Sequence, residues 1–252
     1  MDTIVQYILD QSKLDVTLIG IKNATHDSFH LSIESRVTGT GPIGATMAPM
    51  EVDLTFDKAC FGKLMLPEVR TRPGGTQVNI YDQPIKIINM AAFKRFVESL
   101  MRDEHLVLTL DNGACTIKAM FLTGRCTYRK DVHIKGMNGP PTKISRTDEG
   151  TNILAVHNQS PLEIDHGVSL FEIRDGDTVL AELKGPMQIK RGGFEFTQNI
   201  TRRDKPVSAS NPTGNVLLVG TGVEDNSAWT NETLKYIRTP LELTDKFVSL
   251  YT

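Results

Sequence analysis

Phe29-His30-Leu31-Ser32-Ile33-Glu34-Ser35 alternates apolar and polar side chains residue by residue, and this stretch decides the fold class. A period of two puts Phe29, Leu31 and Ile33 on one face of an extended chain and His30, Ser32 and Glu34 on the other. That is a strand with one dry face and one wet face. Upstream, Leu14, Val16 and Leu18 start the same period, which runs through Ile19 and Ile21 to a polar turn at 23–27. Downstream, Met50, Val52, Leu54 and Phe56 alternate with Glu51, Asp53 and Thr55. Segments 64–66 and 78–80 repeat the pattern on either side of the Pro73-Gly74-Gly75 turn.

Two helices interrupt the strands of this half. Ile4, Val5, Ile8 and Leu9 recur at helical spacing and predict a helix near 2–12, with Asp2 as its N-cap. Phe93, Phe96, Val97 and Leu100 form an apolar stripe that predicts a helix over 90–102, capped by Asn89. Segments 106–110 and 115–122, joined by Asp111-Asn112-Gly113, read as a β-hairpin.

Gly136-Met137-Asn138-Gly139-Pro140-Pro141 is the strongest break in the chain. Beyond it, short strands are expected at 153–156, 162–164, 168–173, 179–183, 187–189, 194–196, 216–219 and 241–243, with a helix near 228–237. Short strands at that spacing argue for a sandwich. The expected fold is therefore mainly β: two β-sandwich units, 1–137 and 143–252, with a few short helices.

The composition removes several function classes. A formal charge of −2 offers no basic footprint for nucleic acid and no polybasic patch for anionic lipid. No apolar run reaches the ~18 residues that cross a bilayer as a helix. Cys60, Cys115 and Cys126 fit neither a zinc spacing nor a Cys-x-x-Cys motif. Cys115 and Cys126 flank a predicted strand pair and could bridge it, or all three thiols could sit in the core as small hydrophobes.

Catalytic signatures are missing as well. There is no Gly-x-Ser-x-Gly, His-Glu-x-x-His or P-loop. Gly39, Gly41 and Gly44 match the dinucleotide pattern by letter, but a strand follows them instead of a helix, and Pro42 lies inside the turn. His26 and His30 are more than about 12 Å apart on a strand, which is too far to share a metal. Glu149, Glu163 and Asp165 lie where solvated carboxylates usually lie. No metal and no cofactor is expected.

Two local features remain. Glu224-Asp225-Asn226-Ser227-Ala228-Trp229 holds the single Trp beside a polar turn, with Tyr236 further along the expected helix. The plain account is an N-cap at Asp225, Asn226 or Ser227 followed by a packing Trp. The functional account is an aromatic wall of Trp229 and Tyr236, with Tyr81 as a further member and Asn226 and His157 as hydrogen-bond donors. His157 and His166 bracket a turn and could converge at one end of the second unit. Four sequons, at Asn23, Asn158, Asn199 and Asn231, are chemically competent glycan acceptors and point to the secretory pathway.

Thr3-Ile4-Val5-Gln6, Asp27-Ser28-Phe29-His30-Leu31-Ser32-Ile33, Gly41 to Met47, Phe61-Gly62-Lys63-Leu64-Met65-Leu66-Pro67 and Ala92-Phe93-x-x-Phe96 occur in this order. Asn158-Gln159-Ser160-Pro161-Leu162 and the closing Trp229, Thr239-Pro240 and Leu243-Thr244 extend the pattern through the second half. The whole resembles a fungal family of unknown function anchored by one N-terminal membrane helix, with a lumenal part similar to group 2 late-embryogenesis-abundant β-sandwiches. The resemblance implies a lumenal or extracellular location, with membrane attachment only through an N-terminal anchor that this sequence lacks. It carries over no catalytic residues. It extends to fungal natural-product cyclases of the hetero-Diels–Alder type.

Two functions follow as expectations. The first is a cofactor-independent cyclase that positions an activated enone or quinone methide against an apolar, terpene-like alkene. Proximity alone can contribute ~7–11 kcal/mol to such a reaction. The alternative is a non-enzymatic module that binds lipid or another hydrophobic small molecule. Hydrophobic small molecules are the expected partners in both, nucleic acid in neither, and a homo-oligomer is compatible with either.

Overall fold

The computed structural model describes residues 6, 9, 11–41, 44–119, 122–148, 150–203 and 216–251. Most of the helix expected near 2–12, with Asp2, Ile4, Val5 and Ile8, lies outside the described residues, as do Pro42 and Glu149. Contacts divide the chain into two units: Met1–Ile21, Asp27–Phe96 and His105–Ile134 form the first, and Lys22–His26, Val97–Glu104 and Lys135–Thr252 the second. The main division falls just before the expected break at 136–141.

The first unit is built from β1 (Lys13–Lys22), β2 (Ser28–Thr38), β3 (Thr46–Met47), β4 (Met50–Phe56), β5 (Ala59–Leu66), β6 (Val69–Arg70), β7 (Thr76–Lys86), β8 (His105–Ala119) and β9 (Leu122–Lys135). One sheet has the order β1-β2-β7; the other has the order β5-β4-β8-β3-β6, with β9 also on β8. The alternation read from sequence holds, since Phe29, Leu31, Val52, Leu54 and Phe56 are buried. Asp57 and Lys58 both take positive φ between β4 and β5, as a two-residue type I′ turn requires. With its carboxamide nitrogen turned to the Met65 carbonyl of β5, the orientation that satisfies both of its ends, Gln83 of β7 donates to that carbonyl at 3.0 Å and accepts from the Met65 N–H at 2.8 Å. A side chain thereby satisfies backbone groups on an edge strand.

α1 (Met90–Arg102) begins where the sequence places it. The Asn89 side chain accepts from the Ala92 N–H at 3.1 Å, which is the capping bond. In the first unit Phe93 stacks on Phe29 at 5.1 Å, and Phe96 stacks on Phe61 at 5.1 Å and meets Phe56 edge-on at 5.7 Å. The expected hairpin turn at 111–113 is not a turn. β8 runs straight through it, with Asn112 at φ 57° as an irregularity inside the strand. Gly113 is required there by packing, because a Cβ would lie 2.8–2.9 Å from Tyr128, Met50 and Val52.

The second unit departs further from expectation. It contains β10 (Thr142–Asp148), β11 (Thr151–Asn158), β12 (Leu162–Asp175), β13 (Thr178–Ile189), β14 (Gly192–Arg203), β15 (Val216–Val223) and β16 (Arg238–Glu242). These pair in the order β13-β14-β11-β10-β16-β15-β12, and β12 returns to pair with β13. The result is a closed seven-stranded barrel, not the expected sandwich. The segments 162–164 and 168–173, expected as separate strands, are one strand with a register shift between Asp165 and Val168. Such bulges bend a strand and raise its twist, which lets long strands coil shut. α2 (Thr230–Thr233) runs into a 3₁₀ turn, Leu234–Tyr236, and α3 (Asp245–Tyr251) follows β16. The sequence reading missed α3, whose signals are the Thr244 hydroxyl accepting from the Phe247 N–H at 3.1 Å and the fully buried Phe247.

The glycine-rich break at 136–141 is not loose. Its N–H groups close the C-terminus of α1: Gly136 donates to Glu104 at 2.9 Å, Met137 to Leu100 at 2.9 Å, Asn138 to Asp103 at 3.2 Å and Gly139 to Met101 at 3.1 Å. These bonds satisfy carbonyls that a helix end otherwise leaves orphaned. The approach is so close that a Cβ on Gly136 would lie 2.1 Å from the Asp103 carbonyl oxygen. Gly136→Ala is therefore expected to destabilise the protein by ~1–3 kcal/mol, whereas Gly193→Ala, with open space around it, should stay within about 0.5 kcal/mol. Chemical denaturation of both variants checks this; equal stability would show that the segment is not held as described.

Candidate functional site

Two cavities are candidates for a site, one in each unit. In the first unit, β1, β2, β4, β5, β7, β8 and β9 surround an interior lined by apolar side chains, and among the described lining residues only Ser35 and Tyr128 carry side-chain oxygen. The Ser35 hydroxyl donates to the Val78 carbonyl at 2.7 Å. Burial holds the Tyr128 phenol protonated, pushing it up to about 12, with the Cys115 thiol adding to the effect. The space is only about 70 Å³, well below the ~150 Å³ of an engineered cavity that takes up benzene. It is a packing space inside a core.

The second cavity is four times as large, about 290 Å³, close to the lower end of ligand pockets. Thr142, Val156, Met187, Phe194, Leu218 and Thr239 reach it from six of the seven barrel strands. These residues alternate with outward neighbours, so the pocket is one end of the barrel lumen. Met101 and Arg102 from the end of α1, Met137 and Pro140 from the capping segment, and Tyr236 and Arg238 border its mouth. The Thr142 and Thr239 hydroxyls are 3.1 Å apart and bond to each other. The remaining wall is apolar, with Phe194 and Phe196 stacked at 6.1 Å.

The mouth is polar and positively charged. Arg102 donates from Nε to the Tyr236 carbonyl at 3.2 Å, and its guanidinium lies 5.5 Å over the Tyr236 ring, within cation–π range. Its Nη1 pairs with Glu98 at 2.5 Å. Burial raises the Tyr236 phenol above its ordinary value, helped by the Glu98 and Glu232 carboxylates and opposed by Arg102. At neutral pH its hydroxyl is therefore a donor.

Of the residues singled out in the sequence, the structure brings Tyr236 alone to this mouth. Trp229 is buried, with its backbone N–H donating to the Thr25 carbonyl at 2.9 Å, and it is not among the described residues that line this pocket. Asn226 is exposed in a turn where Asp225, not Asn226, accepts from the Ser227 N–H at 3.1 Å and hydroxyl at 2.6 Å. Tyr81 is 68% exposed on β7, where its hydroxyl accepts from Asn79 at 2.8 Å. His157 is exposed on β11, beside an open groove bordered by Lys143, Pro240 and Glu242. His157 and His166 do not converge, since His166 is buried. Sequence reasoning missed Arg102, Met101, Met137 and Met187; no local period links them.

The sequons and cysteines are also sorted by the fold. Asn23 and Asn199 are exposed. Asn158 is buried and donates from Nδ2 to the Leu162 and Lys190 carbonyls at 2.8 and 3.1 Å, so that side chain is structural and the fold leaves no room for a glycan on it. The half-buried Asn231 accepts from the Val223 N–H at 3.1 Å. No disulfide forms among the described residues, so the possible Cys115–Cys126 bridge is not made. Burial, with the neighbouring Cys126 thiol, pushes Cys115 up to about 12.

Residues 59–168 match the profile of DUF3712, a family of proteins of unknown function. No curated protein matches the chain. Among solved structures it is similar to a chain of the chaperone–tip adhesin complex of CFA/I fimbriae biogenesis, at 9% identity and a TM-score of 0.20, covering 86% of this chain and 95% of that one. It is also similar to the class 5 fimbriae chaperone CfaA, at 10% identity and a TM-score of 0.19, covering 85% and 96%. The family match and the mainly β architecture agree with the coarse part of the resemblance seen in the sequence.

His166 yields a prediction of its own. Neither ring nitrogen has a hydrogen-bond partner among the described residues. Burial pushes it down to about 4, against the opposing pull of the Asp165 carboxylate and the nearby Ile164 backbone. The native state therefore keeps it neutral, while the unfolded chain takes up its proton near pH 6.5. Its contribution is complete above pH 6.5 and falls as the pH drops toward 4, by up to about 3 kcal/mol. Denaturant midpoints from pH 7 to 4.5 should decline more steeply for the native sequence than for His166→Leu; parallel declines would refute the assignment.

Proposed function

We propose that this protein binds a hydrophobic small molecule in the lumen of its C-terminal barrel. One observation carries the reading: an apolar pocket of about 290 Å³, walled by methionine and phenylalanine and open at one end. Pockets of that kind exclude water from an apolar ligand, and the favourable term scales with the area covered. Methionine walls adapt their shape to the occupant. The secretory, lumenal setting and the fungal, late-embryogenesis-abundant-like ancestry implied by the resemblance belong to the same reading.

A second reading of the same pocket is the hetero-Diels–Alder cyclase. It is favoured by the Arg102 guanidinium and the Tyr236 hydroxyl at the mouth, donors able to polarise an enone or quinone methide while an alkene fills the lumen. Such chemistry needs positioning and no nucleophile.

The test is a lumen-filling variant. Val156→Phe adds bulk to the pocket wall and should lower affinity for the neutral apolar dye Nile red at least tenfold with little change in stability. Equal dye binding by both proteins would refute the lumen as the site. Incubating an enone with an apolar alkene then separates the two readings: stereoselective product above a boiled control supports the cyclase, and retention without product supports the binding module.

A further inference from the structure

We infer that the occupant of the barrel lumen is an anionic amphiphile, its apolar chain inside and its head at Arg102 and Arg238. The inference rests on the lumen being the binding site and specifies what enters it. Two guanidinium-bearing residues, and no Asp or Glu, are among the described residues that line the pocket; the carboxylates that act on Tyr236 at its mouth, Glu98 and Glu232, are each ion-paired, to Arg102 and Lys235. A purely neutral hydrophobe has no use for that asymmetry.

The two arginines are not equivalent. Arg102 is balanced by Glu98 at 2.5 Å and fixed by the Tyr236 carbonyl and ring. Arg238 is exposed and has no ion pair among the described residues. The mouth therefore carries one uncompensated positive charge, next to a second guanidinium already held in place. A planar fork of donors matches a carboxylate in bidentate geometry. The interior offers an anionic head no charged partner, because its polar groups are the neutral Thr142 and Thr239 hydroxyls, bonded to each other. A long-chain carboxylate fits this distribution, with apolar length in the lumen and charge at the rim.

Decanoate and decanol have the same chain and differ in the head, so calorimetric titration with each isolates the charge. Decanoate is expected to bind at least tenfold more tightly than decanol. That ratio should collapse toward one in Arg238→Ala, invert in Arg238→Glu, and shrink as salt rises from about 0.05 to 0.5 M, since rim charges are screened. Arg238 is exposed, so thermal melts should show both variants folded. Decyl phosphate serves as a comparison arm; binding it far more tightly than decanoate would overturn the carboxylate assignment. Equal affinity for decanoate and decanol in the native protein would overturn the anionic head while leaving the lumen site intact. If neither ligand binds, or if Val156→Phe binds both as the native protein does, the lumen reading fails and takes the inference with it.

Discussion

Closure of the C-terminal barrel depends on β12, which pairs with β13 along one edge and β15 along the other. Every strand edge in that unit is satisfied only if this strand bends far enough to serve both neighbours. The chain achieves it with register shifts at 165–168 and 173–174 toward β13 and at 170–171 toward β15. His166, next to the first bulge, follows Leu162 and Ile164 into the interior before the alternation changes phase at Ser169. A buried imidazole beside the bulge carries a desolvation cost, and that cost grows when acid protonates the unfolded chain.

The same bulges explain why half of the fold was legible and half was not. Sequence periodicity reports which face a residue occupies, so it identified the strand around Phe29–Ser35, the strand around Met50–Phe56 and the helix at 90–102 with its Asn89 cap. A bulge adds a residue and inverts the pattern, which reads as the end of one short strand and the start of another. Read that way, the second half yields many short strands and a sandwich. Asn112 shows the same effect: Asp-Asn-Gly is a turn signal by composition, yet Gly113 is there because Tyr128, Met50 and Val52 leave no space for a side chain.

The site was less legible than the fold, for a different reason. Tyr236 stood out because aromatics are few, but its partner Arg102 lies 134 positions away and meets it only through the packing of the second unit. The methionines of the pocket come from α1, the capping segment and β13, with no spacing in common. Trp229 was conspicuous for its rarity and is buried in packing, as solitary tryptophans often are. One of the four sequons lost weight similarly, because the buried Asn158 spends its Nδ2 on backbone carbonyls. Rarity and motif spelling are visible in a sequence; convergence from distant elements is not.

The contrast between the two interiors carries the functional argument furthest. Both are apolar, and both are surrounded by strands. In the first unit, phenylalanines from β2, β4, β5 and α1 interlock and leave about 70 Å³. In the second, about 290 Å³ stays unfilled at the end of the barrel. Sealed and dry, a void of that size would cost several kcal/mol at roughly 24 cal/mol per Å³, a large share of the 5–15 kcal/mol that typically holds a domain together. Opening the lumen to solvent lowers that cost, because water can enter, but it replaces packing with wet apolar surface. Larger side chains at Val156 or Leu218 would fill part of that space. The proposed occupant, with an apolar body and a charged end, would fill the space that the barrel leaves open and meet the arginines that border it.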